Sequence, residues 1–426
     1  MLKINRIIPL VILLSLLMAQ GKMNGIGIGH FYQYQGINNA ADGITELTPS
    51  FQEKVSFSNP STWHNLKFAY LSLSYGGNQN SLEERSVTNG YSSLSNSIFL
   101  IPIKSKSSFG FSLSPYIDQR VNMIEEDSTL FFETNDSSYA FTRAFNRSGG
   151  ILSFKIGSSY KINEKISLGV LYNVLSGSSR QSESIYFGGS SIVQSSRARY
   201  NGIISDIFLS AELFNDFNFY MKITNTIKSV EVAFEQGHLF DDVNGNGYHD
   251  YNPPYYDFPY PDSVSTNPEK RYKNIHSPQG YKFSIQKIIR KRTSLAFEYD
   301  IMNDNSNIDD VDFMLPISNW IKQTQSFKTS LVHYPGIYSL NLLDKFSLKA
   351  GFAYRSHMLN LSNLEITEMG YSIGIGFRFK PVGNQIDINY YFGNREYFDI
   401  SDKEFIQQLQ VGISLADIWF VKRRQK

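Results

Sequence analysis

The sequence predicts an all-β protein: a transmembrane antiparallel β-barrel of about fourteen strands with an N-terminal hatch or plug segment. Three observations predict it. Apolar and polar residues alternate through most of the chain; the connections between alternating segments sort into short and long ones by parity; and outside the extreme N-terminus no apolar run reaches the ~18 residues that a membrane helix needs.

Residues 1–21 read as a secretory signal peptide. Lys3 and Arg6 precede an apolar stretch from Ile7 to Met18, and Ala19, Gln20 and Gly21 supply small or polar residues for cleavage. About a dozen apolar residues are too few to span a hydrocarbon core of about 30 Å.

Residues 22–65 lack long alternation and contain Gly25, Gly27, Gly29, Gly36 and Gly43, followed by Ser58-Asn59-Pro60-Ser61-Thr62-Trp63. A G-x-G-x-G run without a strand before it and a helix after it is weak ground for a nucleotide loop. Glycine freedom in a compact irregular segment explains it better. Lying between an export signal and a barrel, this segment is expected to form the plug.

From residue 66 to 420 the dominant period is two, which sends alternate side chains to opposite faces of a strand. Met369, Tyr371, Ile373, Ile375, Phe377 and Phe379 form one face, against Gly370, Ser372, Gly374, Gly376 and Arg378 on the other. Phe346, Leu348, Ala350, Phe352 and Tyr354 likewise oppose Ser347, Lys349, Gly351, Ala353 and Arg355. The same signature places strands near 66–76, 92–103, 107–118, 149–161, 165–175, 199–213, 217–226, 278–289, 292–303, 323–334, 345–356, 366–379, 384–393 and 405–420. Each offers about the 9–11 residues of a tilted membrane strand.

The even-numbered connections are short, as at Lys104-Ser105-Lys106, Asn163-Glu164 and Asn215-Asp216, with one longer exception around Gly336 to Asp344. The odd-numbered ones, 119–148, 176–198, 227–277 and 304–322, are long. Outer-membrane barrels show this asymmetry, with turns on the periplasmic side and loops outside. Charged residues fall on the less oily faces: Lys155, Lys222, Lys282, Glu298, Asp300, Lys328, Lys349, Arg355, Arg378 and Asp387. Facing lipid at the midplane, Lys or Arg would cost about 2–4 kcal/mol, so these are expected to line the lumen and pair there. The last strand ends in Trp419-Phe420, an aromatic terminus suited to barrel assembly, and a basic tail follows over 421–426.

The longest outer connection contains Asp242-Val243-Asn244-Gly245-Asn246-Gly247-Tyr248-His249-Asp250. This order matches the first two thirds of a calcium-binding loop, with oxygen ligands at Asp242, Asn244, Asn246, the Tyr248 carbonyl and Asp250. The twelfth position is Pro253, so a bidentate carboxylate must come from elsewhere, with Asp257 and Asp262 as candidates. Ca²⁺ is therefore the one ion suggested, and no other cofactor is required. Asn-Gly turns are the alternative reading. Prolines 253, 254, 259 and 261 interleave with tyrosines 251, 255, 256 and 260 beyond it, giving a rigid aromatic loop that shields the barrel mouth.

Composition narrows the chemistry. Lys+Arg 40 against Asp+Glu 39 gives a net charge of +1, which supplies no field for nucleic acid. With 0 Cys there is no disulfide, thiolate metal site, cysteine nucleophile or lipidated cysteine. The seven His residues are scattered, and no G-x-S-x-G elbow, H-E-x-x-H helix or Gly-rich loop ending in Lys-Ser/Thr marks an enzyme.

The order of signal, Gly-rich segment with an Ala40-Ala41-Asp42 step, Asn59-Pro60-Ser61 element and fourteen strands resembles the FadL-type outer-membrane transporters of hydrophobic compounds. The likeness is to divergent, Bacteroidota-like members. The resemblance implies a hatch in the lumen with Asn59, Pro60 and Ser61 at its signature, where the family usually has Ala at the third place. It also implies residence in the Gram-negative outer membrane among its lipids and passive uptake of hydrophobic or amphipathic small molecules such as fatty acids. The alternative is a non-transporting scaffold whose loops bind surface or secretion-complex proteins.

Overall fold

The computed structural model describes residues 22–82, 87–104, 106–132, 137–187, 190–214, 216–246, 249–254, 256–263, 269–290, 292–308, 319–336, 341–360, 364–379, 383–397 and 400–417. The expected signal peptide, the Trp419-Phe420 terminus, the basic tail and Tyr248 lie outside them.

Fourteen antiparallel strands form the barrel. The first seven are β1 (Ala69–Leu82), β2 (Val87–Lys104), β3 (Ser107–Asp118), β4 (Ser137–Lys161), β5 (Ile166–Phe187), β6 (Ser190–Glu212) and β7 (Phe217–Asp241). The rest are β8 (Pro278–Arg290), β9 (Thr293–Asp304), β10 (Ile321–His333), β11 (Phe346–Leu359), β12 (Glu365–Arg378), β13 (Gln385–Tyr397) and β14 (Ile400–Asp417). Each pairs with its sequence neighbour, and β14 closes on β1 with Asp417 opposite Ala69 and Glu404 opposite Leu82. Closure matters physically, because an open sheet edge in hydrocarbon leaves backbone N–H and C=O groups unpaired at several kcal/mol each.

The two faces separate as the alternation predicts. On β12, Tyr371, Ile373 and Ile375 are 48%, 56% and 42% exposed outward, while Ser372 and Arg378 are 6% and 5% exposed. The outward aromatics include Tyr281, Phe283 and Tyr354.

Strand length departs from the sequence reading on one side. β4 to β7 run 25, 22, 23 and 25 residues, whereas β8 to β13 run 12 to 14. Much of the expected loops 119–148, 176–198 and 227–277 is strand, including a hairpin partner for β4 at Val121–Phe132 and one for β7 at Glu269–His276. The reason is chemical. Beyond the bilayer the outward face meets water, so Ser176, Ser178 and Arg180 stand where oily residues stood lower on β5, and on β7 the contrast reverses, with Val230, Val232 and Phe234 buried on the inner face. The result is a tall crown on one side of the barrel, opposite the end where the short turns lie.

The N-terminal segment sits inside the cylinder. It has little regular structure: three short 3₁₀ stretches, Lys22–Gly25, Tyr32–Tyr34 and Pro60–Asn65, and the two-residue strand His30–Phe31 paired with Ile117 and Asp118 of β3. Yet Ile37, Leu47, Phe51, Phe57 and Trp63 are fully buried. Phe51 and Phe57 meet at 4.3 Å between ring centres, and Phe51 packs edge-on to Tyr70 of β1 at 5.5 Å.

Candidate functional site

The residues with chemistry converge in the lumen, where the N-terminal segment meets the inward faces of the strands. Asn59 organises the segment's last turn. Its Oδ1 accepts from the Ser61 amide at 3.1 Å and the Ser61 hydroxyl at 2.6 Å, while its Nδ2 donates to the Leu47 carbonyl at 2.8 Å. Pro60 occupies the first helical position, where its missing N–H costs nothing. The Ser61 carbonyl accepts from Ser167 of β5 at 2.9 Å, so the element is tied to the wall. Asp42 accepts from the Phe57 amide at 2.9 Å and from the Ser58 amide and hydroxyl, each at 2.7 Å.

Six strands grip this segment with buried polar side chains. From β7 and β8, Lys222 (2.9 Å) and Lys282 both donate to the carboxylate of Glu46. From β9, Glu298 accepts the backbone amides of Glu46 at 3.0 Å and Leu47 at 2.9 Å. From β11, Lys349 donates to the carbonyls of Ala40 (3.2 Å) and Ala41, and Arg355 to that of Gln35 at 3.2 Å. Asn389 of β13 donates to Ala40, and Gln408 and Gln410 of β14 both donate to Ile37. The carbonyls point outward because the segment has no helix or sheet of its own to use them, and a buried carbonyl needs a donor.

Behind this contact layer the wall charges pair with one another. Lys282 lies 3.5 Å from Asp300, Lys328 3.6 Å from Glu298, and Lys349 3.0 Å from Asp387. Arg355, Glu368, Arg395 and Glu404 form a chain of alternating charge across β11 to β14, with Arg395 at 2.7 Å from both carboxylates. Higher up, Arg147 of β4 donates to the carbonyls of Asn24 at 2.8 Å and Gln119 at 3.0 Å. In the segment itself, which crosses no membrane, burial pushes the Asp42 carboxyl up to about 6. Burial acts on Glu46 in the same direction, but Lys222 and Lys282 outweigh it and hold that carboxyl well below the usual range.

Of the lumen residues expected from sequence, Lys222, Lys282, Glu298, Asp300, Lys328, Lys349, Arg355 and Asp387 join this network. Arg378 is buried on the same face but makes no ion pair among the described residues. Lys155 borders a small cavity of about 100 Å³ between Phe57 and Trp63 of the segment and Leu171 and Met302 of the wall. Glu46, Asp206, Glu368, Arg395 and Glu404 were not anticipated.

The loop motif is closed on itself. Asp242 accepts the backbone N–H groups of Gly245 and Asn246 at 2.8 and 3.1 Å, and the side-chain Nδ2 groups of Asn244 and Asn246 donate to Asp250 at 2.6 and 2.8 Å. Asp257, a candidate for the missing ligand, accepts the backbone N–H groups of Val243 and Asp250 at 3.0 and 2.7 Å. Among the described residues no group of three His, Cys, Asp or Glu side chains is placed to hold a metal. Contrary to expectation the chain does contain a G-x-S-x-G pattern, at Gly370-Tyr371-Ser372-Ile373-Gly374, but Ser372 lies in the middle of β12 with no strand-to-helix turn, so it forms no elbow.

A family model described as BamG matches residues 1–426. No curated protein matches the chain. Among solved structures, the CymD monoaromatic hydrocarbon channel is 11% identical over 94% of this chain and 99% of its own, with a TM-score of 0.55. A FadL homologue from Pseudomonas aeruginosa is 10% identical over 93% and 98%, at 0.52. The toluene transporter TodX of P. putida is 12% identical over 86% and 94%, at 0.50. At such identities the likeness is one of fold.

Proposed function

The chain belongs to the BamG family, and from that premise we propose that it works in the Gram-negative outer membrane as a closed barrel, a scaffold whose exposed crown engages surface or secretion-complex proteins. One observation carries this reading: the lumen is filled by a segment that six strands hold through buried polar contacts. A ligand that opens the lumen must favour the open state over the closed one by at least the net free energy of all these contacts together, and a micromolar ligand supplies about 8 kcal/mol in all.

Passive uptake of hydrophobic or amphipathic small molecules such as fatty acids is the second reading. The channel fold favours it, as does the cavity beside Trp63 and Leu171, which would need only a local shift of the segment. Uptake of a fluorescent long-chain fatty acid by a deletion strain and its complemented parent separates the two. The scaffold reading expects equal uptake, together with a defined membrane-protein partner that co-purifies with the wild type. Uptake that falls in the deletion strain and returns on complementation contradicts it. For the loop at Asp242 to Asp250, Ca²⁺ is retained as a proposal supported by the oxygen-rich spacing of Asp242, Asn244, Asn246 and Asp250.

A further inference from the structure

We propose that the crown carries a binding groove for the phosphorylated sugar headgroup of an outer-leaflet glycolipid. A cleft of about 580 Å³ opens on the sheet formed by the hairpin at Val121–Phe132 and strands β4 to β7, with Gly245 and Asn246 of the outer loop at its edge. The register shows which face it occupies. Asn122 lies opposite Asn146, Asn146 opposite Ser182, and Ser182 opposite Ser195, while Ser148 lies opposite Arg180 and Arg180 opposite Arg197. Paired residues share a face of the sheet. On β5, Arg180 and Ser182 continue the series of Tyr172 and Val174, which are 51% and 41% exposed on the lipid side. The cleft is therefore on the outside of the barrel, not in its lumen.

Height fixes the source of the ligand. Val174 is the last apolar outward residue of β5 before the polar stretch, and Arg180 follows six positions later, roughly 20 Å along the strand. On β4, Leu152 is followed outward by Ser148 and Asn146 in the same way. A molecule reaching the groove from below comes from the layer just above the hydrocarbon, which in an outer leaflet is glycolipid headgroup. The proposal rests on the outer-membrane placement and not on the closed lumen.

Charge fixes the chemistry. The neighbouring arginines on this crown have carboxylates: Arg143 is 2.6 Å from Glu183, and Arg199 is 2.6 Å from Glu269. Arg180 and Arg197 are exposed, face each other directly across β5 and β6 and form no ion pair among the described residues. Like charges directly opposite on a sheet destabilise it unless an anion lies between them. Glu235, opposite Arg197 on β7, is one carboxylate at the rim for two guanidinium groups. A phosphate would bridge the two forks bidentately, and the surrounding Ser and Asn side chains suit sugar hydroxyls.

The test uses full-length protein in phospholipid nanodiscs titrated with fluorescent lipopolysaccharide. The R180A/R197A double variant is expected to bind about tenfold or more weakly, and the Arg143→Ala control as wild type does. Heat-modifiable migration of the variant in the membrane fraction confirms a folded, inserted barrel; its absence in the wild type would instead overturn the outer-membrane placement. Lipid-free phosphorylated core oligosaccharide and inorganic phosphate are expected to compete only at much higher concentration. Equal affinity of wild type and double variant overturns the groove, and oligosaccharide competing as well as the glycolipid overturns the membrane source.

Discussion

Glu46 is the residue on which the filled lumen turns. It brings one carboxylate to two buried lysines from adjacent strands, and its own backbone amide lies on Glu298. Replacing it with alanine leaves Lys222 and Lys282 with only their wall partners, Asp206 at 3.8 Å and Asp300 at 3.5 Å. Glu46→Ala is therefore expected to loosen the segment by about 3–5 kcal/mol, seen as protease cleavage within residues 22–65 of a folded barrel that resists it as wild type; Glu46→Asp should restore part of the protection. The chain from Arg355 to Glu404 gives a graded case. Glu368 pairs with two arginines, whereas Glu404 pairs with Arg395 and accepts from the Tyr397 hydroxyl, and Arg395 keeps Glu368 when Glu404 is lost. Thermal loss of heat-modifiable migration should come at clearly lower temperature in Glu368→Ala than in Glu404→Ala, and equal midpoints would contradict the assignment. Period two exposed the wall members of these networks because a face is defined by its neighbours. Glu46 has no such neighbours, since the segment around it has no period. Glu368 was within reach, sharing parity with Gly370 and Ser372. Arg395 and Glu404 lie just past the expected strand ends at 393 and 405, where the outward face stops being oily.

At the scale of elements, the turn begun by Asn59 packs directly on β5. A Cβ built on Gly169 would fall 2.4 Å from the Ser61 amide and 2.7 Å from Pro60, both parts of a fixed turn. Gly169→Val should thus push the turn away while leaving strand pairing intact, which Trp63 fluorescence reports as a red shift from its fully buried state; an unshifted spectrum in a folded variant would show that the contact is slack. The loop at Asp242 to Asp250 already uses its carboxylates on its own amides, so Ca²⁺ must compete with those bonds. Binding in the range of weak extracellular sites, Kd about 0.1–1 mM, is expected by calorimetry. Equal heats from wild type and D242A/D250A protein would remove the ion from the account. All fourteen membrane strands were legible because lipid demands an oily face from each of them. The crown was not, because its outward face meets water and carries no oily stripe, while the apolar residues there, such as Val230, Val232 and Phe234, turn inward.

For the whole molecule, a closed sheet solves the backbone problem in lipid and creates another in the lumen, where inward polar groups must find partners. The chain solves the second with its own N-terminal segment, whose carbonyls and Glu46 carboxylate complement the wall charges. A barrel filled in this way has a rigid interior and keeps its distinctive surface for the outside, in the tall side formed by β4 to β7. The most direct test is single-channel recording in planar bilayers. Wild-type protein is expected to be electrically silent, and a variant lacking residues 22–60 to show a steady ohmic pore of the bare fourteen-strand cylinder. A wild-type barrel that conducts as steadily as the deletion variant would contradict the closed lumen.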